Sequence, residues 1–262
     1  MTSNTTEHTA PATVIKIGGS TLGSEDTSLH DVVALQRAGA RPVVVHGGGA
    51  MISNWLKRLE IPSEFVDGLR ATNAQAIDVV VGVLRGVVNT QLVGEIGAIG
   101  GRAVGLSGLD GGMVAARRYD DRLGYVGEVT EVDTGLITAI LDAGMIPVIA
   151  PIGLEAPAQP LNINADTVAG EVARALGVGQ LIFLTDVDGL MDGSGAVLAE
   201  LDAARAKMLR VEGTIGGGMI PKVDACFRAA EVGVAAYIAN GMLPHTIQRI
   251  VSGEHVGTRI RG

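Results

Sequence analysis

Two lysines stand beside glycine runs in this 262-residue chain, a pairing suited to holding phosphate. In VIKIGGS, Lys16 lies inside an apolar run and is followed by Gly18, Gly19 and Ser20, so an ammonium and backbone N–H groups converge at one turn. In GGGMIPK, Gly216, Gly217 and Gly218 precede Met219, and Lys222 follows about one helical turn into the segment, within reach of the same anion. A third glycine run, HGGG at 46–49, leaves an apolar run and enters a helical pattern; Gly48 and Gly49 let the backbone approach an anion closely. No G-x-x-x-x-G-K-[ST] occurs, so this is not a Walker loop.

Other polar residues punctuate the apolar pattern. Arg70, in DGLRAT, offers a planar fork suited to a carboxylate. LNINAD carries Asn162, Asn164 and Asp166 just before a helix, and LTDVDGL carries Thr185 and Asp186 at the end of an apolar run. Each has a plain structural alternative. Lys16 could snorkel or pair with a carboxylate, GGG could be a tight turn, Asn164 a helix cap, and Asp166 a partner of the helix dipole. His46 reads as a hydrogen-bonded core histidine.

The elements that must position these residues follow from periodicity. Apolar runs at 14–17, 42–45, 103–106, 146–150, 180–184 and 235–239 read as buried strands; 28–38, 50–59, 74–96, 134–143, 165–176, 202–210, 218–232 and 244–252 read as helices. That alternation predicts an α/β fold with a largely parallel sheet covered on both faces, with ligands outside the carboxyl ends of its strands. Residues 65–72 and 113–132 read as hairpins over one end of the sheet, and the first dozen residues as disordered.

Composition narrows the classes. Aromatics make up 3%, the net charge is −8 without a basic cluster, and Cys226 is the single cysteine. Nucleic acid and an anionic membrane are poor partners for such a chain, and Cys226 reads as a core residue of a reducing compartment. The opening residues lack a basic start and an apolar stretch, which leads to an expectation of a cytoplasmic protein. The apolar stretch 79–88 contains Arg85 and falls short of the roughly 20 residues of a membrane span.

In this order, KIGGS, HGGG, GLRAT, NINAD and GGMIPK resemble the amino acid kinase family from Val14 to Ile260, and within it the acetylglutamate kinases. The resemblance implies a three-layer αβα sandwich with a tail at 1–12, an N-terminal lobe at 13–160 for the amino acid and homodimerisation, and a C-terminal lobe at 161–262 for ATP. It implies Lys16 and Lys222 as catalytic lysines held by Asp166. Gly18, Gly19, Gly48 and Gly49 would line the phosphate and substrate passage, Arg70, Asn162 and Asn164 would grip N-acetylglutamate, and Thr185, Asp186 and Gly216 to Met219 would face the nucleotide.

The implied reaction moves a phosphoryl group from ATP to a carboxylate. That nucleophile is already ionised at pH 7 and needs no general base. The obstacle is repulsion between two anions, roughly 4 kcal/mol at ~4 Å and an effective dielectric near 20. Two lysines, with Mg2+ arriving on ATP rather than in a protein cage, answer it. GLSGLDG at 105–111 with Arg117 and Arg118 looks somewhat like kinases of a carrier-linked aminoadipate chain, the second reading; a non-catalytic sensor of the same fold is the third. A homodimer is expected partly on helix 74–96, through Ile77, Val80, Val81, Leu84 and Val88. With 13 residues before Val14, arginine insensitivity is expected as well.

Overall fold

Parallel strands buried on both faces need apolar residues at successive positions, and the chain supplies them. The computed structural model describes residues 11–18, 27–66 and 68–262. Its strands are β1 (Ala12–Ile17), β2 (Arg41–His46), β3 (Phe65–Val66), β4 (Leu69–Arg70), β5 (Ala103–Ser107), β6 (Val114–Arg118), β7 (Gly127–Val132), β8 (Ile146–Ala150), β9 (Ile152–Glu155), β10 (Gln159–Asn162), β11 (Gln180–Thr185), β12 (Glu200–Leu201), β13 (Ala235–Asn240) and β14 (Thr258–Ile260). Its α-helices are α1 (Ser28–Arg37), α2 (Gly49–Arg58), α3 (Ala74–Val81), α4 (Asn89–Ala98), α5 (Gly135–Asp142), α6 (Ala165–Leu176), α7 (Ala203–Val211), α8 (Met219–Ala230) and α9 (Thr246–Val251).

An eight-stranded sheet runs β12-β14-β13-β11-β1-β2-β8-β5. Its pairs are parallel except β13 with β14. Side chains alternate across it: Val14, Val45 and Ile149 enter one core with α5, α6, α7 and α8, while Ile15, Ile17, Val44 and Val148 enter a second with α1, α2, α3, α4 and α9. These layers make the expected αβα sandwich. By the same alternation Lys16 shares Val14's face, toward α6 and α8.

Both foreseen hairpins form, β3 with β4 and β6 with β7. A further hairpin, β9 with β10, joins β6 and β7 in a four-stranded sheet over the carboxyl ends of the main strands. Residues 1–10, Gly19 and Ser20 lie outside the described residues, as does most of the tail read as disordered; Ala12 already belongs to β1.

The long helix departs from expectation in two ways. Between α3 and α4 it passes through a π-helical stretch, Gly82–Val88. The stripe assigned to a homodimer packs instead inside this chain: Ile77, Val80, Leu84 and Val88 are buried, and Val81 packs against the same core. An apolar stripe at helical spacing finds its own sheet first. Ala74–Ala98 is long and apolar enough, by length and composition alone, to cross a bilayer, but that stripe already lies against the sheet.

Candidate active site

Three charged side chains meet above the carboxyl end of β1. Lys16, on the face shared with Val14, places Nζ 2.9 Å from Asp166 Oδ1, and Lys222 Nζ donates to Asp166 Oδ2 at 2.8 Å. The carboxylate comes from the first turn of α6 and Lys222 from the first turn of α8, helices that pack together on that face. Asn164 caps α6 with its side-chain oxygen, which accepts from the N–H groups of Asp166 and Thr167 at 2.9 and 3.1 Å. Lys222 also lies 5.4 Å from the ring centroid of Phe183, the β11 residue in register with Lys16.

All three charges are buried. Burial would push the Asp166 carboxyl up, but the adjacent Lys16 and Lys222 more than offset it and hold its pKa below the usual value. Burial pulls the Lys222 ammonium down, against the opposing pull of Asp166. Two ammoniums against one carboxylate leave a net positive charge in a site poor in water, which favours an incoming polyanion.

Beside this cluster a cleft of about 180 Å³ gathers Arg70, Asn162 and Asn164, the three residues expected to grip the amino acid, with Gly48 and Gly49 of the expected substrate passage. Arg70 is buried, donates to Ser53 Oγ at 2.8 Å, to the Gly49 carbonyl at 2.9 Å and to Ser63 Oγ, and stacks 4.6 Å from the ring centroid of Phe65, its cross-strand neighbour. Among the described residues no carboxylate pairs with it. Burial lowers the pKa of this guanidinium. A buried fork oriented by hydroxyls and a carbonyl, with no carboxylate partner among the described residues, is prepared to receive an anion.

The two asparagines differ in what they leave free. Asn162 donates through Nδ2 to Thr72 Oγ1 at 3.1 Å, leaving Oδ1 for a ligand donor. Asn164 spends Oδ1 on its cap, leaving Nδ2. Thr72 had not been singled out; it is buried, donates to the Arg70 carbonyl at 2.9 Å, and thereby links two candidate ligands. Its place two residues after Arg70 in GLRAT was the available signal.

A larger cleft of about 780 Å³ continues past Gly68, Leu69 and Asn164 to Asp166, Gly217 and Gly218. Gly216 to Gly218 are exposed, with Gly217 at φ +51°, and Met219 begins α8. Thr185 ends β11 and turns its hydroxyl into its own loop, donating to the Val187 carbonyl at 2.9 Å; Asp186 beyond it is exposed. Gly18 follows β1, and Gly19 is not among the described residues. Among the described residues no group of three or more His, Cys, Asp or Glu side chains is placed to hold a metal ion.

Comparison with known proteins assigns the chain to a family. Residues 11–240 match the model of the amino acid kinase family. The chain belongs to that family. It is 41% identical over 255 residues to the acetylglutamate kinase of Dehalococcoides mccartyi, spanning 95% of this chain and 94% of that one. To the acetylglutamate kinase of Acidiphilium cryptum it is 46% identical over 249 residues, spanning 88% and 83%. Among solved structures, that of smu.665 from Streptococcus mutans UA159 superposes with a TM-score of 0.84 at 31% identity, over 95% of this chain and 98% of that one.

Proposed function

We propose that this member of the family is an acetylglutamate kinase, transferring the γ-phosphoryl group of ATP to the side-chain carboxylate of N-acetyl-L-glutamate in arginine biosynthesis. The observation that carries the reading is the buried Lys16–Asp166–Lys222 cluster directly beside the Arg70 cleft. The names of the relatives favour it over the aminoadipate and sensor readings. Both lysines being present also weighs against a sensor.

In this mechanism Arg70 takes the α-carboxylate of the amino acid and Asn162 Oδ1 accepts its amide N–H. The side-chain carboxylate then points toward the lysines. One of its oxygens attacks the γ-phosphorus in line, the bond from that phosphorus to the β,γ-bridging oxygen breaks, and the electron pair leaves with ADP. Lys16 and Lys222 neutralise charge on the transferring oxygens, while Asp166 fixes both ammoniums. Gly18, Gly19, Thr185, Asp186 and Gly216 to Met219 are the residues proposed to face ATP. Mg2+ would travel on the nucleotide phosphates and add positive charge there.

The test is ATP consumption with N-acetylglutamate against glutamate and aspartate, with the acyl phosphate trapped by hydroxylamine. Turnover with either free amino acid but not with N-acetylglutamate would overturn the assignment. The reading also carries a homodimer and a cytoplasmic location, tested by light scattering and cell fractionation. A dimer built on the long helix must use its outer face, where Gly82, Gly86, Thr90 and Gly94 are exposed, rather than the buried stripe.

A further inference from the structure

His46 ends β2 and leads into the glycine run of the substrate cleft, yet the proposed reaction gives it no role. Its ring is fully buried and held at both nitrogens. Nδ1 lies 2.9 Å from the Gly47 carbonyl oxygen, and Nε2 lies 3.0 Å from Asn89 Nδ2.

The Asn89 environment decides which ring nitrogen carries the proton. Asn89 Nδ2 donates to the Val148 carbonyl at 2.8 Å, and Asn89 Oδ1 accepts from Arg85 Nη1 at 3.2 Å, so the amide nitrogen is the end facing His46. A donor facing Nε2 makes Nε2 the acceptor and puts the proton on Nδ1, from which it is donated to Gly47. Burial lowers the His46 pKa to about 4, with the Arg85 charge acting in the same sense against the Gly47 hydrogen bond, so the neutral ring persists at working pH.

The consequence lies in the next peptide. A trans peptide points its carbonyl and its N–H in opposite directions. Holding the Gly47 carbonyl toward the buried ring therefore aims the Gly48 N–H away from it. Gly48 lines the substrate cleft, and among the described residues no acceptor takes the Gly48 N–H.

The π-helical stretch supplies the reason Asn89 can do this. The Asn89 N–H bonds to the Leu84 carbonyl five residues back, so a wider turn brings Leu84 and Asn89 toward one face. Leu84 packs beside Gly48, where an added Cβ would lie 2.7 Å from Leu84 Cδ2, while Asn89 reaches His46. One turn of helix thus braces the glycine run at two points.

We infer that His46 is a positioning residue: locked by Asn89 as the neutral Nδ1–H tautomer, it fixes the Gly47–Gly48 peptide so that the Gly48 N–H faces the reacting anions. This rests on the kinase reading above. The test compares His46→Asn with His46→Leu in the full chain. The asparagine amide nitrogen is bonded to Cγ as ring Nδ1 is, so the donor to Gly47 survives in His46→Asn, whereas leucine fills more of the ring's volume but donates nothing.

Expected for His46→Leu is a loss of about 10- to 100-fold in kcat, of the size a misplaced group causes, with KM for ATP within about twofold. His46→Asn should stay within about threefold of wild type. A packing role predicts the reverse order, and observing it would overturn the inference. Ring 15N shifts give a second readout independent of turnover: an Nδ1–H ring with Nε2 as acceptor in the wild type. An Nε2–H wild type refutes the inference even if N-acetylglutamate proves not to be the substrate.

Discussion

Lys222 Nζ donates to Asp166 Oδ2 at 2.8 Å across 56 residues of chain, while Lys16 sits 2.9 Å from the other oxygen of the same carboxylate. One buried anion therefore sets the positions of two cations. Each partner carries a different burden when it is removed.

Lys16→Ala and Lys222→Ala should each lower kcat by at least ~100-fold, the scale of losing a preorganised donor to the transition state, with the fold retained by circular dichroism. Asp166→Asn should do the same and also destabilise, by up to ~3–5 kcal/mol, because two buried ammoniums are left without their counter-charge. Denaturant titration separates these outcomes. Wild-type turnover in a folded Lys222→Ala protein would remove the site from the reaction.

The depressed pKa values have opposite consequences at the two ends of the pH scale. The folded Asp166 pKa lies below its ordinary 3.8, so its contribution to stability is complete above that value and is lost as pH falls through the lower folded pKa. Lys222 loses its proton below the ordinary 10.5, so kcat/KM for the amino acid should fall as pH rises through that lowered value. Lys222→Arg should move the alkaline limb upward in a pH–rate profile. An unmoved limb assigns the titration to another group.

Arg70→Lys should raise KM for N-acetylglutamate by about 10-fold or more while leaving KM for ATP near wild type, since a point charge cannot replace a fork already oriented by Ser53, Ser63 and the Gly49 carbonyl. Separate saturation curves for the two substrates check this. An effect confined to ATP places Arg70 elsewhere in the mechanism.

How far the sequence revealed this site depends on the physical signal each part leaves. Buried parallel strands are continuous apolar runs, so β1, β2, β5, β8, β11 and β13 were legible within a residue or two, and the glycines after them marked the ligand end of the sheet. The β9–β10 hairpin escaped notice because its strands are short and carry Glu155 and Gln159, and β12 spans two residues. Nothing in GVLRGVV distinguishes a π-helical stretch from an α-helix. The linking roles of Thr72 and Asn89 are long-range, over 90 residues to Asn162 and 43 to His46, and one polar residue leaves no periodic trace. The dimer stripe misled because spacing gives the apolar face of a helix but not what covers it.

Neighbouring glycines of the HGGG run should separate packing from catalysis. A Cβ on Gly48 would meet Leu84 Cδ2 at 2.7 Å and Val88 Cγ2 at 3.5 Å, a clash within a buried face, whereas a Cβ on Gly49 meets nothing within 4 Å. Neither residue has a positive φ in the left-handed region, so steric fit rather than backbone strain is being tested. Gly48→Ala should therefore cost about 1–3 kcal/mol of stability through overpacking. Combining it with Leu84→Val, which withdraws the offending methyl, should be less destabilising than the sum of the two single changes. Gly49→Ala should melt within a degree or two of wild type, as a surface-like change does, yet lose activity because its methyl enters the cleft where the substrate's anions approach. Thermal melts and initial rates on the four proteins decide the matter: a stable, fully active Gly49→Ala enzyme shows that no ligand comes close to this part of the backbone.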